Sequence, residues 1–254
     1  MCPILFQSGR LTVYSYGAIL AFGFVVGMVL ILLKARKQGI PLDRMIELFC
    51  LSIFSALVGA RGFHVLLDLA PYVENPLRIL KVWEGGLVFY GGLILAIGAG
   101  LVYMRGYRLP IWKVADLFAP AIALGLFFAR IGCFMAGCCF GKETSLPWGV
   151  RFSDPDSLAP LHLSLHPTQL YEAAGGFVLF LLLAWMERRK SFDGQTFWLF
   201  LLLYSILRFF IECLRDDPRG FLIWPSVSTS QTLGVPLAIL SLFVLFYMKR
   251  GLRR

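Results

Sequence analysis

The chain has 254 residues, of which 58% are hydrophobic and 15% charged, with a mean hydropathy of +0.75 and a formal net charge of +9. Soluble domains are about 45–50% apolar and about 25% charged, so this balance excludes an ordinary soluble globule. The charge does not point to nucleic acid either, because no basic stripe is interleaved with aromatics; the basic residues gather between apolar runs, as they do in membrane proteins.

Those runs are long enough for helices that cross a bilayer, which takes about 20 residues. The first, 13–33, lacks a clear small-residue cleavage site and reads as a retained helix. The second, 47–69, contains Arg61 and His64. The third, 86–104, is lined by Gly91, Gly92, Gly98 and Gly100, residues that let membrane helices approach closely. The fourth, 115–136, contains Asp116 and Arg130. A connection at 137–169, rich in Gly, Pro, Ser and Asp and carrying Trp148, separates it from runs at 170–187, 196–214 and 228–248. The expected fold class is an all-α, polytopic integral membrane protein of about seven transmembrane helices. It forms a single transmembrane domain over 1–254 with an external loop region at 137–169.

Loop charges set the orientation. With the N-terminus outside, the inner segments hold fourteen of the 24 Lys and Arg residues and the outer segments seven. Arg10 and Arg219 count among the outer ones, and Arg253 and Arg254 among the inner. The bias favours N-terminus out and C-terminus in, which an odd number of spans permits. In a bacterium this places the chain in the inner membrane, with 137–169 in the periplasm.

Arg61, Arg130 and Arg208 fall inside spans. A charge at the bilayer centre costs about 2.5–3.5 kcal/mol on insertion scales, so something must offset it. One reading pairs each arginine with a carboxylate, for which Asp116, Glu172 and Glu212 are available. The other gives them a shared anion: the guanidinium fork matches phosphate oxygens two at a time, and a bilayer supplies phosphate as lipid headgroups. Arg208 and Glu212 share a helix face, and Arg215 lies two turns beyond Arg208. Arg130 opens a glycine-rich segment, 130–141, suited to a cavity wall whose N–H groups face an anion. His166 and Glu172, in His166-Pro-Thr-Gln-Leu-Tyr-Glu172, could move protons or serve as helix-start packing.

Several segments occur together along the chain: Tyr16-Gly17, Gly59-Ala60-Arg61, Trp83–Gly86 with Gly91-Gly92-Leu93, and Asp116–Pro120. They continue with Arg130–Gly141, Pro147-Trp148-Gly149, His166–Glu172, Arg208–Arg215 and Ser228–Gln231. In this order they resemble the bacterial prolipoprotein diacylglyceryl transferase family over nearly the whole chain. The resemblance implies transfer of a diacylglyceryl group from phosphatidylglycerol to the lipobox cysteine of a preprolipoprotein. Glycerol phosphate is the other product, and no metal or organic cofactor is implied. Arg130 and Arg208 would hold the phosphate and, with Glu212, serve the chemistry. Tyr16, Arg61, Asp116, Gly141, His166, Glu172, Tyr204 and Arg215 would line the substrate site. Tyr90 stands where the family usually has a histidine, its candidate base for the acceptor thiol. Cys133 and Cys138 stand where Asn and Glu are usual, and Ala136 replaces a second Asn. On the residues alone, three rivals stay open: a lipid-headgroup transferase with another acceptor, a non-enzymatic lipid-binding or transport protein, and, as the weakest, a thiol or metal membrane protein.

Cys133, Cys138 and Cys139 lie within seven residues of sequence. Their spacing is not a CxxC pair, and His162 and His166 lie more than 20 residues away. No metal site is expected from this pattern; small apolar wall residues are.

Overall fold

The computed structural model describes residues 2–9, 11–216 and 228–251. Arg10, Arg219, Arg253 and Arg254 of the loop-charge count lie outside the described residues. Eight α-helices are described: α1 Ser15–Lys37, α2 Leu42–Leu67, α3 Ala70–Glu74, α4 Phe89–Gly106, α5 Ile111–Ala136, α6 Thr168–Glu187, α7 Gln195–Cys213 and α8 Thr229–Gly251. All but the short α3 are long and apolar enough to cross a membrane, seven in number, as the apolar runs predict. Val25, Phe54, Ile94 and Phe243 are each more than half exposed, as lipid-facing side chains are.

The helix ends differ from the apolar runs for a physical reason. Helix α1 continues through Lys34, Arg36 and Lys37, which hydropathy discards but which favour a helix C-terminus. Helix α2 starts at Leu42, directly after Pro41 and with Asp43 in its first turn. Short strands also appear that the sequence does not announce. β1 Ile4–Ser8 and β2 Leu11–Tyr14 form an antiparallel hairpin, and β3 Val150–Arg151 pairs with β4 Ser164–Leu165. Strands this short leave little periodic signal.

The chain divides into two compact units. One is Met1–Leu30 with Ala115–Arg254, and the other is Ile31–Val114. In the first, Ala119 and Ala123 of α5 pack with Leu179 and Leu183 of α6 and Phe200 of α7 in a buried cluster. Asp116, fully buried on α5, accepts hydrogen bonds from the Gly194 N–H at 2.9 Å and the Phe197 N–H at 3.0 Å. It thereby satisfies donors that the start of α7 leaves free. Lys190 completes the tie at 3.1 Å from Asp116 and 3.2 Å from Asp193. Burial opposes the Lys190 charge, yet the two carboxylates outweigh it and raise its pKa above the ordinary value.

In the second unit, α2 and α4 touch through glycines. A Cβ on Gly91 would fall 2.6 Å from the Gly59 carbonyl oxygen, and one on Gly92 2.7 Å from that of Ala56. No other residue permits that approach. Beside this contact, Arg61 organises the segment after α3. Its Nε–H donates to the Ile79 carbonyl at 3.0 Å, and Nη1 to the carbonyls of Gly85 at 2.5 Å and Gly86 at 3.2 Å. Nη2 donates to Arg78 and, at 3.2 Å, to Lys81. A guanidinium carries five N–H donors, and each has a carbonyl here. Arg61→Leu is expected to leave these carbonyls unpaired and to loosen 76–86; limited trypsin digestion should then cut at Arg78 and Lys81 faster than in the wild type, with Arg61→Lys intermediate.

Candidate functional site: a buried arginine–glutamate cluster

Three stretches of main chain meet where α5 and α7 end and α6 begins. Gly141 donates to the His166 carbonyl at 3.0 Å, His166 to that of Lys142 at 2.9 Å, and Lys142 to that of Leu214 at 2.9 Å. Gly141 thereby bridges to Arg215 in antiparallel fashion. A Cβ at position 141 would lie 2.7 Å from the His166 Cβ, the Leu214 oxygen and the Thr168 Cγ2 alike. Only glycine fits that crossing. From α6, Thr168 Oγ1 donates to the Cys139 carbonyl and Gln169 Nε2 to that of Cys138, both at 2.8 Å.

This frame gathers five charged side chains. Glu172, 1% exposed, is the hub. It lies 2.9 Å from Arg130 Nη2, 3.5 Å from Arg208 Nη1 and 3.6 Å from Arg215 Nη1. Glu212, one turn beyond Arg208 on α7, pairs with Arg208 Nη2. Tyr204, one turn before Arg208, donates its hydroxyl to Glu172 Oε1 at 3.5 Å. Ser230, at the start of α8, accepts from Arg208 Nη2 at 3.4 Å. Within this set, three arginines stand against two glutamates. Arg208 Nη1, although near Glu172, has no hydrogen-bond acceptor of good geometry among the described residues. Glu172 Oε2, 3.5 Å away, is in the same state, so the two face each other as an ion pair without a well-aligned hydrogen bond.

The sulfurs of Cys133, Cys138 and Cys139 converge beside the cluster, all within 4.8 Å of one another. Arg130 Nη1 lies 3.9 Å from Cys133 Sγ. Hydrogen bonds from Cys133 and Cys138, with Arg215 alongside, hold the Cys139 thiol below its ordinary pKa, whereas contacts with Cys133 and Cys139 push Cys138 up. The Tyr16 ring packs over Gly132, the residue before Cys133: a Cβ there would sit 3.1 Å from its Cδ2. His166 Nδ1 is 3.3 Å from the Tyr171 hydroxyl, which accepts from Trp148 Nε1 at 2.9 Å.

Residues 3–247 match the sequence profile of the family described as prolipoprotein diacylglyceryl transferase. The chain belongs to this family. A relative from Clostridium tetani, named phosphatidylglycerol–prolipoprotein diacylglyceryl transferase, is 35% identical over 244 residues, 96% of each chain. Relatives of the same name from Nitratidesulfovibrio vulgaris and Geobacter sulfurreducens are 37% and 34% identical. They cover 96% and 98% of this chain, and 93% and 95% of their own lengths.

Of the residues that the transferase resemblance assigns to the site, Arg130, Gly141, His166, Glu172, Tyr204, Arg208, Glu212 and Arg215 come together, with Tyr16 packed nearby. Asp116 does not. It is fourteen residues from Arg130 on the same helix, about 21 Å along the axis at 1.5 Å per residue, and its oxygens hold the start of α7. Arg61 lies in the other unit, where carbonyls meet all five of its donors. Tyr90 lies in the first turn of α4, in the other unit, half-buried with its ring 5.6 Å from that of Phe89.

Thr168, Gln169 and Ser230 are site residues that the sequence left without roles, although all three fall in segments that carry the family resemblance. A buried threonine and glutamine opening a helix were the available signal. Glu172→Gln is expected to strand three guanidinium groups without their central anion and to destabilise the fold by about 3–5 kcal/mol, the usual result of breaking a buried charge network. A thermal melt of the detergent-solubilised variant reads this as a large drop in Tm.

Proposed function

We propose that this chain moves a diacylglyceryl group from phosphatidylglycerol to the lipobox cysteine of a prolipoprotein, with Arg130, Arg208 and Arg215 holding the lipid phosphate. The observation that carries the reading is the convergence of three guanidinium groups on one buried place where α5 and α7 end, a grouping whose N–H forks match phosphate oxygens two at a time.

The chemistry follows from the leaving group. The thiolate sulfur attacks the glyceryl carbon that bears the phosphate. A carbon–sulfur bond forms, the carbon–oxygen bond breaks, and its electron pair leaves on glycerol phosphate. Negative charge on the departing phosphate grows during that step. Guanidinium groups already fixed by Glu172 and Glu212 stabilise it without having to reorganise. Glu172 and Glu212 act as positioning residues, and Tyr16 and His166 border the space that the lipid and the acceptor enter. Tyr90 is the candidate proton acceptor for the thiol, a weaker base than the imidazole usual at that place. The loop-charge bias supports a bacterial inner-membrane location with the N-terminus and the cluster toward the outer side.

The test is transfer by the purified chain from phosphatidylglycerol to a lipobox peptide, followed by mass spectrometry and paired with rescue of a transferase-depleted bacterium. Arg130→Ala and Arg208→Ala are each expected to lower the turnover rate by about 100-fold or more, as removing a charge-stabilising donor does. Tyr90→Phe is expected to lose less than Arg130→Ala. Full activity in either arginine variant would overturn the phosphate assignment, and no transfer by the wild-type chain would overturn the reaction.

A further inference from the structure

The transfer chemistry makes no use of the three sulfurs beside the clamp. Cys133 comes from the last turn of α5, and Cys138 and Cys139 from the turn that follows. None of the three forms a disulfide, and their sulfurs lie within 4.8 Å of one another. Cys139 adopts φ 64°, rare for a residue with a side chain, and this kink lets two consecutive thiols face the same neighbour. The turn is pinned from α6 by Thr168 and Gln169, which are 0% and 1% exposed. The grouping is therefore preorganised by buried hydrogen bonds.

We propose that Cys133, Cys138 and Cys139 form a binding site for one monovalent thiophilic metal ion, with Cu(I) as the type. Soft thiolate ligands select such ions. With metal–sulfur bonds of about 2.3 Å, three trigonal ligands stand about 4 Å apart, so sulfurs already this close need only small shifts. Among the described residues, no histidine or carboxylate joins the group, which leaves the fourth place of a tetrahedral zinc centre without a protein ligand. Three thiolates around a monovalent ion carry a net charge of −2, and Arg130 at Cys133 and Arg215 at Cys139 face them while also pairing with Glu172. On binding, each ligating thiol releases its proton to solvent and forms a sulfur–metal bond, with no change of oxidation state. One consequence rests on the phosphate reading above: a loaded centre draws on Arg130 and Arg215 and so competes with lipid phosphate.

The test uses the reduced, full-length chain in detergent without oxygen, titrated with Cu(I) delivered as its bicinchoninate complex. One equivalent should leave the chelator per chain, and X-ray absorption should give three sulfur neighbours at about 2.3 Å. Cys133→Ser, Cys138→Ser and Cys139→Ser should each weaken retention by about tenfold or more, whereas the combined Cys2→Ser, Cys50→Ser and Cys213→Ser variant should retain the ion. Thermal melts of the variants, matched to the wild type, exclude loss through misfolding. No withdrawal of copper, equal retention by Cys133→Ser, or preferential uptake of Zn(II) overturns the site. Transfer activity is the separate readout: a threefold-sulfur centre that forms while transfer continues at full rate leaves the metal site standing and overturns the competition with phosphate.

Discussion

One buried carboxylate, Glu172, lies within ion-pair distance of three guanidinium groups that come from the ends of two other helices. Taking an ion out of water costs several kcal/mol even after relaxation, so three arginines could not share this interior without an anion among them. Glu172 makes their company tolerable, and Glu212 adds a second negative charge at Arg208. On the proposed reading, a lipid phosphate would meet guanidinium groups that these two carboxylates already hold in place.

Charges elsewhere in the chain meet the cost of burial in other ways. Arg61 offers its five donors to a ring of carbonyls and so turns an otherwise irregular segment into a defined one. Asp116 meets free N–H groups at the start of α7 and a lysine beyond them. In both places the ionised group fastens main chain, with every strong contact directed at the protein itself. The cluster around Glu172 is different because its charged side chains are directed at one another.

The seven spanning helices were legible because length and apolarity are additive along the chain and survive the loss of tertiary information. Their ends were not, since Lys34, Arg36 and Lys37 lower hydropathy while continuing the helix. The arginines drew attention for the right reason, the expense of a charge in an apolar run. Hydropathy sees that expense but not the partner, which is why Arg61 and Arg130 looked equivalent and have unlike surroundings. Asp116 carried the family resemblance yet lies far along α5 from Arg130, a separation that becomes visible only once both are placed on one helix. The convergence of Cys133, Cys138 and Cys139 depends on a left-handed residue at 139, and nothing in the spacing of three cysteines announces that.

The crossing at Gly141 has a consequence for how such a site can change over time. The ends of α5 and α7 and the start of α6 are joined there by N–H and carbonyl groups, which every residue except proline supplies in full. The side chains of Cys133 and Cys138 take no part in that crossing. Cys133 and Cys138, at positions where the family usually carries an amide and a carboxylate, occupy the wall beside it while the crossing stays closed. A frame closed through its main chain in this way does not depend on which side chains stand at positions 133 and 138.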